Sequence, residues 1–417
     1  MRVPADQRSQ AKAAIEEFLA LPNDVMVRRV TRSSGAIVTT PMGHAARRRA
    51  ETLAERADRA LLMASERPAP GSGRALRTAD LYSGCGGLSL GVEEACRAIG
   101  RRFVPVAAFD INDEARDVYE TNFPGARTFD DDITTLFSGY WRNVLTNGER
   151  GLKRKVGEVD FLVAGPPCQG WSSLNNHTRG DDPKNSLYRR VARAAAVLEP
   201  KYVLIENVAA ARLARAPNGT IRHLEELGYE VSEGVLSLLD IGVAQRRRRH
   251  VVLAVQGKRV EIDDIVSAFM RRPRSLQWAI GDLADLKPSR SFDMPSRVSA
   301  DNKPRMDWLR THMGTDLPNR LRPDCHRDGD HTYKSMYGRL EWGKPAQTIT
   351  TGYSSMGQGR YVHPDAHRTL TAHEAARVQL FPDWFDFGEH QRSAWAMLIA
   401  NAVPMKLSYA VALWLLH

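Results

Sequence analysis

The sequence predicts an α/β protein: a doubly wound, mostly parallel sheet, a smaller irregular domain and an N-terminal helical extension. Three observations carry this. From Arg74 to about Val255, short apolar runs alternate with helical stretches, the pattern of parallel strands joined by crossover helices. A glycine-rich turn (Gly84, Gly86, Gly87) separates the first of these strands from the helix after it, where open α/β sheets bind ligands. Beyond Val255 the alternation stops, and prolines, arginines and isolated tryptophans dominate as far as Trp342.

The elements follow in chain order. Residues 1–75 are basic and poor in aromatics, and Ala11–Leu21 and His44–Met63 read as helices, rich in Ala, Glu and Arg. Arg47-Arg48-Arg49 is either a solvated helix face or a contact for phosphates. Pro68–Gly73 is a linker. Strands are expected at Ala75–Leu81, Val104–Phe109, Val159–Ala164, Tyr202–Ile205, Val231–Leu238 and His250–Val255. Helices are expected at Leu88–Ile99, Asp113–Thr121, Ser186–Leu198 and Ile221–Leu227. The loop between the last two strands is too short for a crossover helix, so they should pair antiparallel. Lys344 onwards returns to recognisable elements, with a helix over Leu370–Phe385 and a last one over Ser393–Leu416, interrupted at Pro404.

Bulk properties narrow the class. A hydrophobic content of 42% and a charged content of 26% are ordinary for a globular protein. No uninterrupted apolar run reaches the ~18 residues that cross a bilayer, and Met1–Ala20 lacks the apolar core of a secretory signal. No membrane partner is therefore expected. Four scattered cysteines (Cys85, Cys96, Cys168, Cys325) fit a reducing cytoplasm and no disulfide framework. A net charge of +10 favours a polyanionic partner. Cys325-His326 with His331 lacks a second ligand pair, so no metal is expected.

The richest segment is Gly165-Pro166-Pro167-Cys168-Gln169-Gly170-Trp171-Ser172, directly after the run Val159–Ala164. It sets a thiol in a proline-stiffened loop at a strand's carboxyl end. Read alone, it leaves both a nucleophile and a buried structural cysteine open. Its companions are Asp80–Ser89, Glu206-Asn207-Val208, Gln245-Arg246-Arg247-Arg248-Arg249, Arg368–Arg377 and Asn401-Ala402-Val403-Pro404. Asp110 ends the second strand, where a carboxylate can accept both hydroxyls of a ribose. The spacing Gly-x-Gly-Gly departs from the dinucleotide fingerprint and weakens that rival.

In this order the set resembles the cytosine-5 DNA methyltransferases of bacterial type, over roughly Asp80 to Leu416. The resemblance implies a Rossmann-like methyltransferase domain at 76–255, a target-recognition domain at 256–345 and motifs returning to the catalytic domain at 346–417. It implies the cofactor S-adenosyl-L-methionine and the partner double-stranded DNA, bound by a monomer, and leaves open a cognate restriction endonuclease. Cys168 would be the nucleophile that adds to carbon 6 of a flipped cytosine, and Glu206 the acid at ring nitrogen 3. The rival role for Glu206 is the ion-pair partner of a buried arginine. Arg247 would contact oxygen 2, with Arg249 in support on the same side of an extended segment.

The implied cofactor set is Asp80, Tyr82, Gly84, Gly86, Gly87, Leu88, Asp110, Ile111, Asp132, Ile133, Asn401 and Val403. Ala400 stands where the family usually has glycine. Candidate base or phosphate readers are Arg271, Arg272, Arg274, Asn302, Lys303, Arg305, Asn319 and Arg320. Two other functions stay open: the same chemistry on cytosine in transfer RNA, and a catalytically silent DNA-binding regulator.

Overall fold

The computed structural model describes residues 15–140, 144–167, 187–327 and 335–417; Cys168 and His331 lie outside the described residues. The N-terminal region departs most from expectation. β1 (Glu16–Ala20), β2 (Val25–Thr31) and β3 (Ile37–His44) form a three-stranded antiparallel sheet, and the helix α1 is confined to Leu53–Leu62. The helix expected over Ala11–Leu21 is thus a strand across Glu16–Ala20. Pairing with β2 and burial of Phe18 override the local helix preference. Arg47, Arg48 and Arg49 precede α1 as irregular chain rather than lying on a helix face. α1 starts late because Thr52 and Glu55 form a reciprocal capping box there.

A seven-stranded sheet forms the centre: β4 (Ala75–Leu81), β5 (Arg102–Phe109), β6 (Arg127–Phe129), β7 (Phe161–Ala164), β8 (Tyr202–Val208), β9 (Tyr229–Ser237) and β11 (Arg248–Gln256), with the short β10 (Gln245–Arg246) set apart from it. The order is β6-β5-β4-β7-β8-β11-β9. All neighbours are parallel except β11, which runs antiparallel to β8 and to β9. The expected hairpin is present. Chain order reverses between β4 and β7, and such a switch point opens a crevice at the carboxyl ends of the strands.

The helices α2 (Gly87–Ala98), α3 (Asp113–Asn122), α4 (Ile133–Leu136), α5 (Asn147–Val156), α6 (Leu187–Leu198) and α7 (Arg215–Glu226) connect these strands. Two apolar clusters flank the sheet. One contains Leu88, Val92, Phe161 and Leu413, the other Leu162, Val191, Ile205 and Val252. β7 is buried at every position, which explains its uninterrupted apolar sequence.

After β11 the chain forms the short helices α8 (Ile262–Ala268), α9 (Leu276–Ile280), α10 (Lys303–Thr311) and α11 (Asp324–Arg327). Two-residue pairings join β12 (Gly338–Arg339) to β14 (Arg360–Val362), and β13 (Ala346–Gln347) to β10. Met306, Leu309, Leu317, Tyr337, Met356 and Val362 make a small separate core there. Two expected base readers are engaged elsewhere: Arg271 pairs with Glu16, and Arg274, 2% exposed, pairs with Asp58.

The helix expected over Leu370–Phe385 is only α12 (Ala372–Val378). Pro382 disfavours helical backbone before it, and Leu380 is left-handed at φ 64°. α13 (Arg392–Asn401) and α14 (Met405–Leu416) are broken apart by Ala402–Pro404. Together they are long and apolar enough to cross a membrane, but 83% of the apolar window is buried inside the fold. Ala400 sits in α13 with no left-handed backbone, so glycine is not required there.

Candidate active site

The carboxyl edge of the sheet gathers most of the expected residues. β4 runs into a loop where Tyr82, Gly84 and Gly86 all have positive φ (57°, 52° and 90°), so the chain curls tightly before α2. Only glycine fits at Gly86, where a Cβ would lie 2.3 Å from the Phe123 ring. Gly84 faces open space, and its amide donates to Asp110 Oδ2 at 2.8 Å. Asp110 also accepts from the Asn112 amide at 3.0 Å. The next residue, Ile111, is 73% exposed beside this carboxylate.

Asp132 caps α4, accepting from the amide and hydroxyl of Thr134 at 2.7 Å each. Those hydrogen bonds hold its carboxyl below the usual range. Tyr82 Oη donates to the Leu187 carbonyl at 2.8 Å, and burial raises its phenol.

The other expected cofactor residues reach the site differently. Asp80 lies beneath the loop, 1% exposed, and accepts from Ser89 Oγ at 2.7 Å. Burial pushes its carboxyl well above the usual carboxylate range. Leu88, Ile133 and Val403 are buried, whereas Asn401 is exposed. Val403 closes on the loop: a Cβ at Gly87 would lie 2.4 Å from its carbonyl oxygen. An open loop, an adjoining strand-end carboxylate and an exposed apolar residue fit a nucleoside-bearing cofactor.

Beside this crevice, β8 and β11 carry the charged pair. Glu206 is opposite Val251 and Arg249 opposite Val208, so the two side chains are diagonal neighbours on one face. Arg249 Nε is 2.6 Å from Glu206 Oε1, with side chains 12% and 8% exposed. Asn207 turns to the other side of the motif and donates to the Pro166 carbonyl at 3.0 Å. That contact registers β8 with the proline loop that leads to Cys168.

Arg247 and Arg249, expected to act together at the base, hold different partners. The Arg247 amide bonds back to the Gln245 carbonyl at 3.0 Å, bending the chain between β10 and β11. Arg247 is 3% exposed and donates to the carbonyls of Ala400 (3.3 Å) and Ala402 (3.0 Å). Arg246 and Arg248 are exposed, as expected for alternate residues. Cys85 is buried, 1% exposed, and burial pushes its thiol up to about 12. Among the described residues no group of three or more His, Cys, Asp or Glu could hold a metal ion. Sequence reading passed over Gln379, fully buried after α12; a lone glutamine there carries no pattern that would single it out.

Comparison with known proteins agrees with this geometry. The family model described as C-5 cytosine-specific DNA methylase matches residues 76–417. The Type II methyltransferase M1.BsuMI of Bacillus subtilis (strain 168) is 42% identical over 406 residues, covering 96% of this chain and 94% of that protein. So wide an alignment includes most of the N-terminal region that the family model omits. The Type II methylase M.HgiDII of Herpetosiphon aurantiacus is 29% identical over 360 residues, covering 80% of this chain and 93% of the relative. Among solved structures, a prophage-encoded DNA modification methyltransferase from E. coli has the same fold, with a TM-score of 0.56 at 22% identity, covering 82% of this chain and 98% of that one.

Proposed function

The chain belongs to the C-5 cytosine-specific DNA methylases, and from that premise we propose that it methylates carbon 5 of a cytosine flipped out of a specific duplex sequence, through a cysteine adduct. The observation that carries the reading is the Glu206–Arg249 pair at the sheet's carboxyl edge, tied through Asn207 to the loop before Cys168. Carbon 5 of cytosine is a poor nucleophile. Addition of the Cys168 thiolate to carbon 6 opens the 5,6 double bond and makes carbon 5 electron-rich. Glu206, positioned by Arg249, would donate its carboxyl proton to ring nitrogen 3, where negative charge then builds. In this assignment Arg249, rather than Arg247, is the arginine at the base. Transfer of the methyl group to carbon 5 would leave S-adenosylhomocysteine, and loss of the carbon 5 proton to solvent would then expel the Cys168 thiolate and restore the ring.

The family and fold imply S-adenosylmethionine, which supplies an electrophilic methyl group when bound. Asp110 would accept from the ribose hydroxyls, Ile111 would cover the adenine, and Asp132 with the Ile133 amide would meet its exocyclic edge. Gly84, which faces open space, would let the backbone approach the methionine portion, while Gly86 and Gly87 seat the loop against Phe123 and Val403; Tyr82 would lie beside the cofactor, with Asp80 bracing the loop. A base within a duplex is out of reach, so the target must be extruded. The exposed Arg246 and Arg248 suit the flanking phosphates. In the proposed recognition domain, residues 256–345, Arg272, Lys303, Asn319 and Arg320 are exposed and available to duplex DNA. Similarity to Type II methyltransferases favours a role in restriction–modification, in the cytoplasm where the DNA is.

The test is mechanism-based trapping. A duplex carrying 5-fluorocytosine at the target should accumulate a denaturation-resistant adduct when S-adenosylmethionine is present, because fluorine does not leave as a proton does. Cys168→Ala should give neither adduct nor methylated product. Methylation by that variant would overturn the covalent assignment.

A further inference from the structure

We infer that Arg247 and Gln379 act on the cofactor pocket rather than on the target base, by capping the carboxyl end of α13 and so docking the Asn401–Pro404 turn on the glycine loop. The inference rests on the cofactor site proposed above. The last carbonyls of a helix have no donor within the helix, and that end carries the negative pole of the helix dipole. At the end of α13 two buried side chains are donors. Arg247 donates to the carbonyls of Ala400 at 3.3 Å and Ala402 at 3.0 Å. Gln379 Nε2 donates to Ile399 at 2.6 Å and shares the Ala402 carbonyl at 3.2 Å. Both side chains are buried, 3% and 0% exposed. A guanidinium at this pole is a charge-assisted cap.

The orientation of Gln379 is fixed from behind. Its Oε1 accepts from Gln245 Nε2 at 2.5 Å, and Gln245 Oε1 accepts from the Ile349 amide at 3.2 Å. Only one amide orientation satisfies this chain, and it aims Nε2 of Gln379 at the helix end. Beyond Ala402 comes Val403, whose carbonyl and amide lie against Gly87. A second tie follows in α14, where Ser408 Oγ donates to the Leu88 carbonyl at 2.7 Å. The position of the turn against the glycine loop therefore depends on the cap. Arg249 has a different neighbour, Glu206. The bend at Arg247 thus divides the Gln-x-Arg-x-Arg segment: Gln245 and Arg247 serve the cofactor wall, and Arg249 serves the base.

Arg247 and Gln379 are accordingly positioning residues, and the discriminating measurement uses no DNA. Isothermal titration of the full chain with S-adenosylhomocysteine should show dissociation constants raised about tenfold or more by Arg247→Met and by Gln379→Leu, the scale of losing charge-assisted or buried hydrogen bonds. Arg247→Lys, which keeps a cation at the helix end, should recover part of the loss. Circular dichroism at the titration temperature establishes that each variant is folded. If Arg247→Met does not fold, Gln379→Leu and Arg247→Lys carry the test. Wild-type affinity in these variants, with a reduced yield of 5-fluorocytosine adduct, would put Arg247 at the base and overturn the inference. Wild-type protein that binds no S-adenosylhomocysteine would overturn the cofactor reading itself, a result distinct from unchanged variants.

Discussion

Glu206 shows how one side chain can satisfy two readings of its sequence context. As a buried carboxylate beside an arginine it looks like half of an ion pair, and the 2.6 Å contact with Arg249 bears that out. Its place two residues before the carboxyl end of β8, next to the crevice and one residue from the tie to Pro166, also suits action on a base. Replacing it with glutamine keeps the shape and removes the ionisable group. We predict that Glu206→Gln lowers single-turnover methylation by about 10²–10⁴-fold, the range for a lost general acid, while S-adenosylhomocysteine binding changes less than about twofold. A variant that mainly weakens cofactor binding would move Glu206 to the other site. The carboxylate and the cation of this candidate centre were legible in the sequence, because each stands near a strand's end; the expected thiol, Cys168, lies outside the described residues. Which arginine meets Glu206 was not legible. Strict alternation assumes an extended chain, and the amide of Arg247 turns back to Gln245.

At the scale of elements, legibility followed burial. β4, β7, β8 and β11 are inner strands whose apolar runs announce themselves, and β4 begins and ends where expected. β6, three residues long, is too short to leave a pattern. α5 is masked by its Lys- and Arg-rich sequence and is identifiable mainly by the Thr146–Glu149 capping box. The N-terminal strands bury charged residues (Glu16, Arg28) among apolar ones and rely on one another for pairing, so local composition misleads.

The loop between β4 and α2 was read from its glycines, and each glycine has a different reason. Gly87 is needed for closeness rather than for its backbone angle, since Val403 lies where a methyl group would go. Gly87→Ala should push the Val403 turn away. The expected result is about 1–3 kcal/mol of lost stability, the usual cost of overpacking, with weaker S-adenosylhomocysteine binding. Denaturant unfolding and calorimetry would measure both, and unchanged affinity would separate the turn from the cofactor site.

At the scale of the molecule, the N-terminal region is built into the fold. Arg28, 1% exposed, donates to Glu94 of α2 at 2.8 Å and to Tyr409 of α14 at 3.0 Å. Glu16 accepts from Tyr409 and Arg271, and Trp278 Nε1 donates to the Glu55 carbonyl at 3.1 Å. Asp58 is the junction of three segments, because α1 offers it to Arg274 and to Lys406 of α14, the latter at 2.9 and 3.1 Å. Burial alone would raise the Asp58 carboxyl, but the two cations outweigh it and hold the group well below the usual carboxylate range.

A depressed carboxyl contributes stability that is fully present above its unfolded value, about 3.9, and is lost as pH falls towards the folded value. Asp58→Asn would leave Arg274 and Lys406 buried without their anion, a loss of about 3–5 kcal/mol. Thermal unfolding of wild type and variant across pH should therefore show a gap that is constant from pH 8 to about 5 and narrows below about 4. A gap that stays constant as the pH falls to 3 would mean that the carboxylate charge is not its source. A small gap at neutral pH would mean that α1 is held by apolar packing, and that these ion pairs fix only its orientation.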